Sequence, residues 1–380
     1  MINMLKNRLL FAFFICFILV LNPFKSYSDN FELDPRLLVY GGYDDNILYN
    51  RTGVIKDFFA AARPELGVIY SSERNMINLD TYIEAIRYSE ESDLDTENYR
   101  IELSGDLTLS DRSDLFFEAF HLKDTTVDSQ LEETGRIVER EDRRQNRGNF
   151  VYGYKIDEVS DFGLEYRYRS VEYQSDSEID RTEHRFRVPY YRWFNERLDR
   201  FSIRPSYARS QLENDTTVDA YNLSVGWVHI FSETLRMENY IGYSYTVESN
   251  ENEDNKYQSG SADLKIIKNS DIYSILAGFR TYVSLNPAGD LDEVDRLYCK
   301  FSKELTERLS LNLDGGLYIT RPLEIYDEYE TAYYEIKTAI SYQLKNNHSI
   351  GIGYTYQNEY DRTISEDRDR IRNLIWISVQ

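Results

Sequence analysis

The 380-residue sequence predicts an all-β fold: a transmembrane antiparallel β-barrel of about eighteen strands, preceded by a cleaved signal peptide. Three observations predict it. Apolar and polar side chains alternate with a period of two through most of the chain. Turn residues recur at regular intervals, with short and long connections taking turns. The only long apolar stretch lies at the N-terminus.

That stretch comes first. Lys6 and Arg8 supply a positive start, and Leu9 to Leu21 is a nearly unbroken apolar run. Ser26-Tyr27-Ser28 then offers small side chains at the two positions a signal peptidase must accept. The run is 13 residues long, against the roughly 20 that a membrane-spanning helix needs. Residues 1–28 therefore read as a signal peptide cut after Ser28, and 29–380 as one barrel. The stretch Asp29–Arg36 is too short for a plug or a set of docking domains ahead of the first strand.

The strands follow. Tyr99, Ile101, Leu103, Leu107 and Leu109 alternate with Arg100, Glu102, Ser104, Asp106 and Thr108. Phe162, Leu164, Tyr166 and Tyr168 alternate with Gly163, Glu165, Arg167 and Arg169. Ile350, Ile352, Tyr354 and Tyr356 alternate with Gly351, Gly353, Thr355 and Gln357. Such a strand has one apolar and one polar face. Short polar turns are expected near Ser72–Asn75, Ser110–Asp114, Asp157–Asp161, Asn195–Asp199, Ser232–Thr234, Lys268–Asp271, Thr306–Glu307 and Lys345–Asn347. Looser acidic connections fall near Asp44–Asp57, Glu90–Glu97, Asp124–Arg143, Ser175–Asp180, Glu213–Thr216, Glu248–Asn255, Asn286–Asp292, Arg321–Glu330 and Asn358–Asp369. Eight turns alternating with nine loops imply eighteen strands with both ends on the periplasmic side. The final strand, Arg370 to Gln380, is a partial misfit: an aromatic is expected at its end, and Trp376 sits four residues earlier.

Composition agrees with a barrel exported to the outer membrane. Tyr accounts for 33 residues, and its flat body with a polar tip suits the boundary between hydrocarbon and water. Without the first 28 residues, 41 basic side chains face 66 acidic ones, a net charge near −25. That excludes nucleic acid as a natural partner. Of the two cysteines, Cys16 lies in the signal core, so Cys299 has no internal disulfide partner.

The segment Tyr43-Asp44-Asp45-Asn46-Ile47, then Asp57-Phe58, then Pro64-Glu65-Leu66-Gly67, resembles the start of the putative β-barrel porin 2 family. The resemblance implies an outer-membrane barrel, often associated with exopolysaccharide or capsule systems.

The polar face of each strand is expected to line the lumen. It places Arg167, Arg169, Arg185, Arg187 and Arg204 on neighbouring strands, with Lys265, Arg280, Arg296, Lys300 and Lys337 continuing the basic set. Glu65, Asp80, Glu84, Glu102, Asp106, Glu118 and Glu165 dominate the earlier strands. One reading is a polarised pore whose arginines hold acidic sugars or phosphates transiently. The other is that the charges pair across the lumen and fill it.

His121, His184, His229 and His348 fall in no catalytic signature, and structural or surface roles are expected for them. The acidic runs at Glu90–Glu97 and Glu251–Asp254 lack the spacing of a calcium loop. No P-loop, dinucleotide fingerprint or nucleophile elbow is present, so neither cofactor, metal nor enzyme activity is expected. The expected function is a passive porin or export channel for a polar or anionic solute or polysaccharide. A closed scaffolding barrel binding partners through acidic loops, and a barrel hydrolase, are the alternatives.

Overall fold

The computed structural model describes residues 31–125, 127, 130–131, 140–174, 178–250, 253–323, 330–344, 348–361 and 369–380. The expected signal peptide lies outside the described residues. Nineteen strand segments form one sheet. They are β1 (Phe31–Asp44), β2 (Asp57–Ser71), β3 (Asn75–Tyr88), β4 (Thr96–Ser110), β5 (Ser113–Thr125), β6 (Asp142–Lys155), β7 (Ser160–Tyr173), β8 (Arg181–Arg187), β9 (Tyr190–Phe194) and β10 (Asp199–Leu212). They continue as β11 (Thr217–Ser232), β12 (Leu235–Ser249), β13 (Asp254–Asn269), β14 (Tyr273–Leu285), β15 (Leu291–Thr306), β16 (Leu309–Pro322), β17 (Thr331–Gln343), β18 (Ser349–Asp361) and β19 (Arg370–Val379).

Segments β8 and β9 both pair with β7 on one side and β10 on the other, so they are two halves of one barrel strand. The barrel therefore has eighteen strands, all antiparallel to their neighbours. The break falls at Val188-Pro189, because proline has no N–H to give a ladder. The gap is stitched by Gly163 N donating to Pro189 O at 2.8 Å and Val188 N to Pro205 O at 3.1 Å.

Turn chemistry sets the strand lengths. At the first tight turn Ser72 N donates to Asn75 O at 2.8 Å, and Asn75 N returns to Ser72 Oγ at 3.1 Å. Register slips by one residue beside three turns, at Thr108/Ser110, Ile230/Ser232 and Glu304/Thr306. These bulges tighten the local twist where the chain reverses. The turn expected at Lys345–Asn347, and most of the loops expected at Asp124–Arg143, Arg321–Glu330 and Asn358–Asp369, lie outside the described residues. The strands flanking each of them fall as expected.

The ring closes where β19 pairs with β1, from Val39 opposite Val379 to Asp44 opposite Leu374. The final strand is thus bonded on both sides. Trp376 shares a face with Arg372, opposite the exposed Ile375 and Ile377, and turns into the lumen over Gly353. A Cβ on Gly353 would lie 2.3 Å from the Trp376 ring, so only glycine fits beneath it. The first strand starts at Phe31, within the stretch expected to precede it. Residues Phe31–Leu38 pair with β2 alone, a one-sided edge of the kind that tolerates a proline such as Pro35.

Apolar side chains face outward. Ile241 is 63% exposed and Ile377 56%, and Leu103, Leu164, Leu223, Ile336 and Ile352 join them around the ring. A contiguous apolar exterior of this extent is at home only in lipid. The seam is sealed inside by Arg372 and Asp44. The Arg372 guanidinium donates to Asp44 through Nη2 at 2.6 Å and Nε at 3.0 Å, with both side chains buried.

Removing one partner strands a buried charge, at a cost of about 3–5 kcal/mol. Asp44→Ala should therefore lower the guanidinium unfolding midpoint of the detergent-solubilised barrel substantially. The paired Asp44→Leu/Arg372→Met change should recover much of that loss. An unchanged midpoint in Asp44→Ala would show that the seam does not depend on this pair.

Candidate functional site

The inward faces divide into two walls of different electrostatic character. The first runs across the seam, from β16 through β19 to β4. Here cations meet acids. Arg63 bonds Glu65 at 2.7 Å and reaches Glu84 at 3.7 Å, and Arg36 reaches Glu65 at 3.5 Å. Arg100 pairs with Glu102, and Lys337 bonds Glu335 at 3.1 Å. Glu84 also accepts from Tyr40 Oη at 2.7 Å and Asn98 Nδ2 at 3.0 Å. Within the acidic N-terminal wall expected from sequence, Glu65, Glu84 and Glu102 are thus each held by a cation. Glu102 is held by Arg100, and Asp106 sits apart, in a small recess beside Arg74 and Asn75 at the turn end.

The second wall, from β6 to β15, is different. A cavity of about 580 Å³ lies against it, lined by Arg147, Arg167, Arg169, Arg181, Arg185, Arg187, Arg204, Arg280 and Arg296. Among the described residues, only two carboxylates share that lining, Glu183 and Asp263. Glu183 holds Arg185 at 3.2 Å, and Asp263 holds Lys265 at 3.1 Å. Glu165 takes Arg187 at 3.0 Å. Among the described residues, Arg167, Arg204, Arg280 and Arg296 make no ion pair. Aromatic rings hold three of them instead. Arg204 lies 3.8 Å over Tyr240, Arg280 4.7 Å over Tyr282, and Arg296 4.8 Å over Tyr318. A ring holds the face of a guanidinium and leaves its N–H edges free. The Nε atoms of Arg185, Arg204 and Arg296 are buried without a hydrogen-bond partner.

Strand register explains the clustering. Arg167 lies directly opposite Arg185, and Arg280 directly opposite Arg296. Between the two pairs run two rows rich in small side chains, with Tyr240 and Asp263 standing beside them. One cross-strand row runs Arg187, Ser206, Asn222, Ser244, Ser259. The next runs Arg204, Ser224, Gly242, Ser261. A Cβ on Gly242 would come within 2.7 Å of Ser261 Oγ and 2.8 Å of Leu223 O, so this floor cannot be raised there without displacing backbone.

Of the residues singled out from sequence, Arg167, Arg169, Arg185, Arg187, Arg204, Arg280 and Arg296 line this cavity. Lys265 and Glu165 stand beside it, bound to Asp263 and Arg187. Arg147 and Arg181 were not foreseen. On β6, Arg143, Gln145, Arg147 and Asn149 alternate with Arg144 and Asn146, so both faces read as polar and the phase is illegible. The histidines lie elsewhere: His121 contacts Tyr99 and Asn146, His184 contacts Tyr166, and His229 bonds Asp199.

Loop residues from the long-loop end fold inward over the cavity. Tyr49 of the β1–β2 loop and Val127 and Leu131 of the β5–β6 loop pack on the inward side chains Val294, Tyr318 and Tyr333. On the other side Ile179 packs with Leu212, Val218, Leu285 and Leu291, and its N–H donates to Pro287 O at 2.9 Å. Gln130 ties two of these loops together by donating to both Glu178 carboxylate oxygens, at 2.8 and 2.7 Å. Burial, reinforced by Glu141 and opposed by the Gln130 bond and by Arg143, pushes the Glu178 carboxyl up to about 8.

An eighteen-strand ring with a lipid-facing exterior and a charged lumen is the build of an outer-membrane porin. Over residues 27–182 the chain matches the family described as Putative beta-barrel porin 2. It is a porin-like outer-membrane barrel. A BenF-like porin from Pseudomonas fluorescens Pf-5 aligns with a TM-score of 0.50 at 9% identity, covering 93% of this chain and 99% of its own. OccK2 (OpdF) of Pseudomonas aeruginosa, solved in complex with glucuronate, aligns at 0.47 and 10% identity, covering 91% and 97%. The channel DcaP of Acinetobacter baumannii aligns at 0.45 and 10% identity, covering 92% and 98%. At such identities the likeness is one of fold. No curated protein matches the sequence.

The loop tie gives the porin-like barrel a pH dependence with a definite sign. The Glu178 carboxyl binds its proton more tightly when docked than when free, so docking is strongest in acid. It weakens as pH rises from the ordinary carboxylate range through about 8. Conductance in planar bilayers should therefore rise between pH 5 and pH 9, and Glu178→Gln should flatten that rise. An identical profile in the variant would remove Glu178 from the control of the mouth.

Proposed function

We propose that the barrel is a passive channel that favours anionic solutes. The observation that carries this reading is the arginine-rich wall facing the cavity of about 580 Å³, where Arg167, Arg204, Arg280 and Arg296 make no ion pair among the described residues. Arginine presents a fork of N–H donors matched to carboxylate and phosphate, and it stays charged at any physiological pH. A solute moving along such a wall exchanges one guanidinium for the next without chemistry. The resemblance to a porin family often associated with exopolysaccharide systems supports acidic saccharides as cargo. The paired charges of the opposite wall keep that side near neutral, so the basic wall sets the field in the lumen.

A closed scaffolding barrel is the second reading, favoured by the loop residues Tyr49, Val127 and Leu131 docked across the lumen. Purified protein in planar bilayers separates the two. An open state with anion preference, measured from the reversal potential in a salt gradient, is the expected result. The charge reversals Arg167→Glu, Arg169→Glu, Arg185→Glu and Arg187→Glu, made together, should shift that preference towards cations. Absence of any open state across pH and voltage would favour the scaffold, and unchanged selectivity in the variant would take these residues out of the conducting path.

A further inference from the structure

We infer that the basic wall is a cradle for an extended chain of oxyanions, an oligomer with repeated carboxylates or phosphates, rather than a site for single small anions; this rests on the channel reading above. The geometry carries it. The arginines without ion-pair partners stand at both ends of one cavity: Arg167 and Arg204 at one, Arg280 and Arg296 at the other. The floor between them carries small side chains such as Ser224 and Ser261 across β10 to β13. From Arg204 on β10 to Arg280 on β14 there are four inter-strand steps. At roughly 4.8 Å each they span roughly 19 Å measured along the wall. A single carboxylate or phosphate engages one end of that span and leaves the other uncompensated.

Like charges have been placed side by side at each end. Arg280 and Arg296 are directly opposed cross-strand partners, an arrangement that destabilises an empty sheet and is relieved by a bound anion. The rings of Tyr240, Tyr282 and Tyr318 hold the guanidinium faces in place of carboxylates, so each fork is oriented before a ligand arrives. The low floor suits a chain that slides. It offers hydroxyls for transient hydrogen bonds, and the large ring beside it, Tyr240, is covered by the Arg204 guanidinium. Two anionic sites tethered by one oligomer act at high effective concentration, so the oligomer should bind far more tightly than its monomer.

The test uses the full chain in detergent and in planar bilayers. Hexagalacturonate, galacturonate, polyphosphate of similar length and neutral maltohexaose are the probes, read by calorimetry and by block of conductance. Hexagalacturonate is expected to bind at least about tenfold more tightly than galacturonate, since two charge-assisted contacts replace one. Maltohexaose should show no such gain. Tighter binding by polyphosphate than by hexagalacturonate would identify the phosphate chain as the better oxyanion source. The Arg280→Gln/Arg296→Gln variant should collapse the oligomer-to-monomer ratio, and Arg167→Gln/Arg204→Gln at the other end should do the same, so that one variant suffices if the other fails to fold. Equal affinity for oligomer and monomer, equal binding of maltohexaose, or a ratio that survives both variants would overturn the cradle. Calorimetric oligomer preference without conductance would overturn the channel reading alone; conductance without oligomer preference would overturn the cradle alone.

Discussion

Hydrocarbon offers no hydrogen bonds, and every backbone N–H and C=O in this chain's wall must therefore find its partner in the next strand. An open sheet cannot meet that condition at its edges, so the meeting of β1 with β19 is the constraint on which the rest of the molecule depends. The alternation of faces follows from it, because a closed wall between lipid and water must be apolar outside and polar inside. The buried Arg372–Asp44 pair sits at this seam. A charge pair is weak as a source of net stability, but it fixes which residues face each other across the closure. The break at Val188-Pro189, elsewhere around the ring between β7 and β10, shows how far the ladder can be interrupted. One lost donor is tolerated when the flanking strands bond around it.

Closure forces many charged side chains into one lumen, and the two walls resolve that crowding differently. Across the seam acids such as Glu65, Glu84, Glu102 and Glu335 lie beside cations, and the wall becomes a largely paired surface. On β6 to β15 arginines outnumber acids, and tyrosine rings hold several of them. The two readings of the charged strands, a filled lumen and a charged pore, thus draw on different walls of the same barrel. The inward-packed loop residues complete the picture. Apolar loop side chains at the end of an aqueous lumen have nowhere to go but onto apolar wall residues, and Tyr318 and Tyr333 provide that surface.

Much of the wall was legible in the sequence because its determinants are local. Period-two alternation needs only neighbouring residues, and turns such as Ser72–Asn75 are specified by side chains that bond their own backbone. Phase failed where both faces were polar, which hid Arg147. The strand break was foreshadowed only by Pro189, and a single proline does not say whether a strand ends or is stitched.

By itself the sequence determined the barrel: its strand number, the order of turns and loops, and the lipid face, along with the inward phase of strands that carry Arg167, Arg169, Arg185, Arg187, Arg204, Arg280 and Arg296. These follow from spacing along one chain. Only the tertiary structure decided which charges meet. Arg372 finds Asp44 across 328 positions, while Arg204 and Arg280 find rings rather than acids. Ring closure and loop docking set those partnerships, and both depend on where distant strands lie around the circumference rather than on what stands next in the sequence.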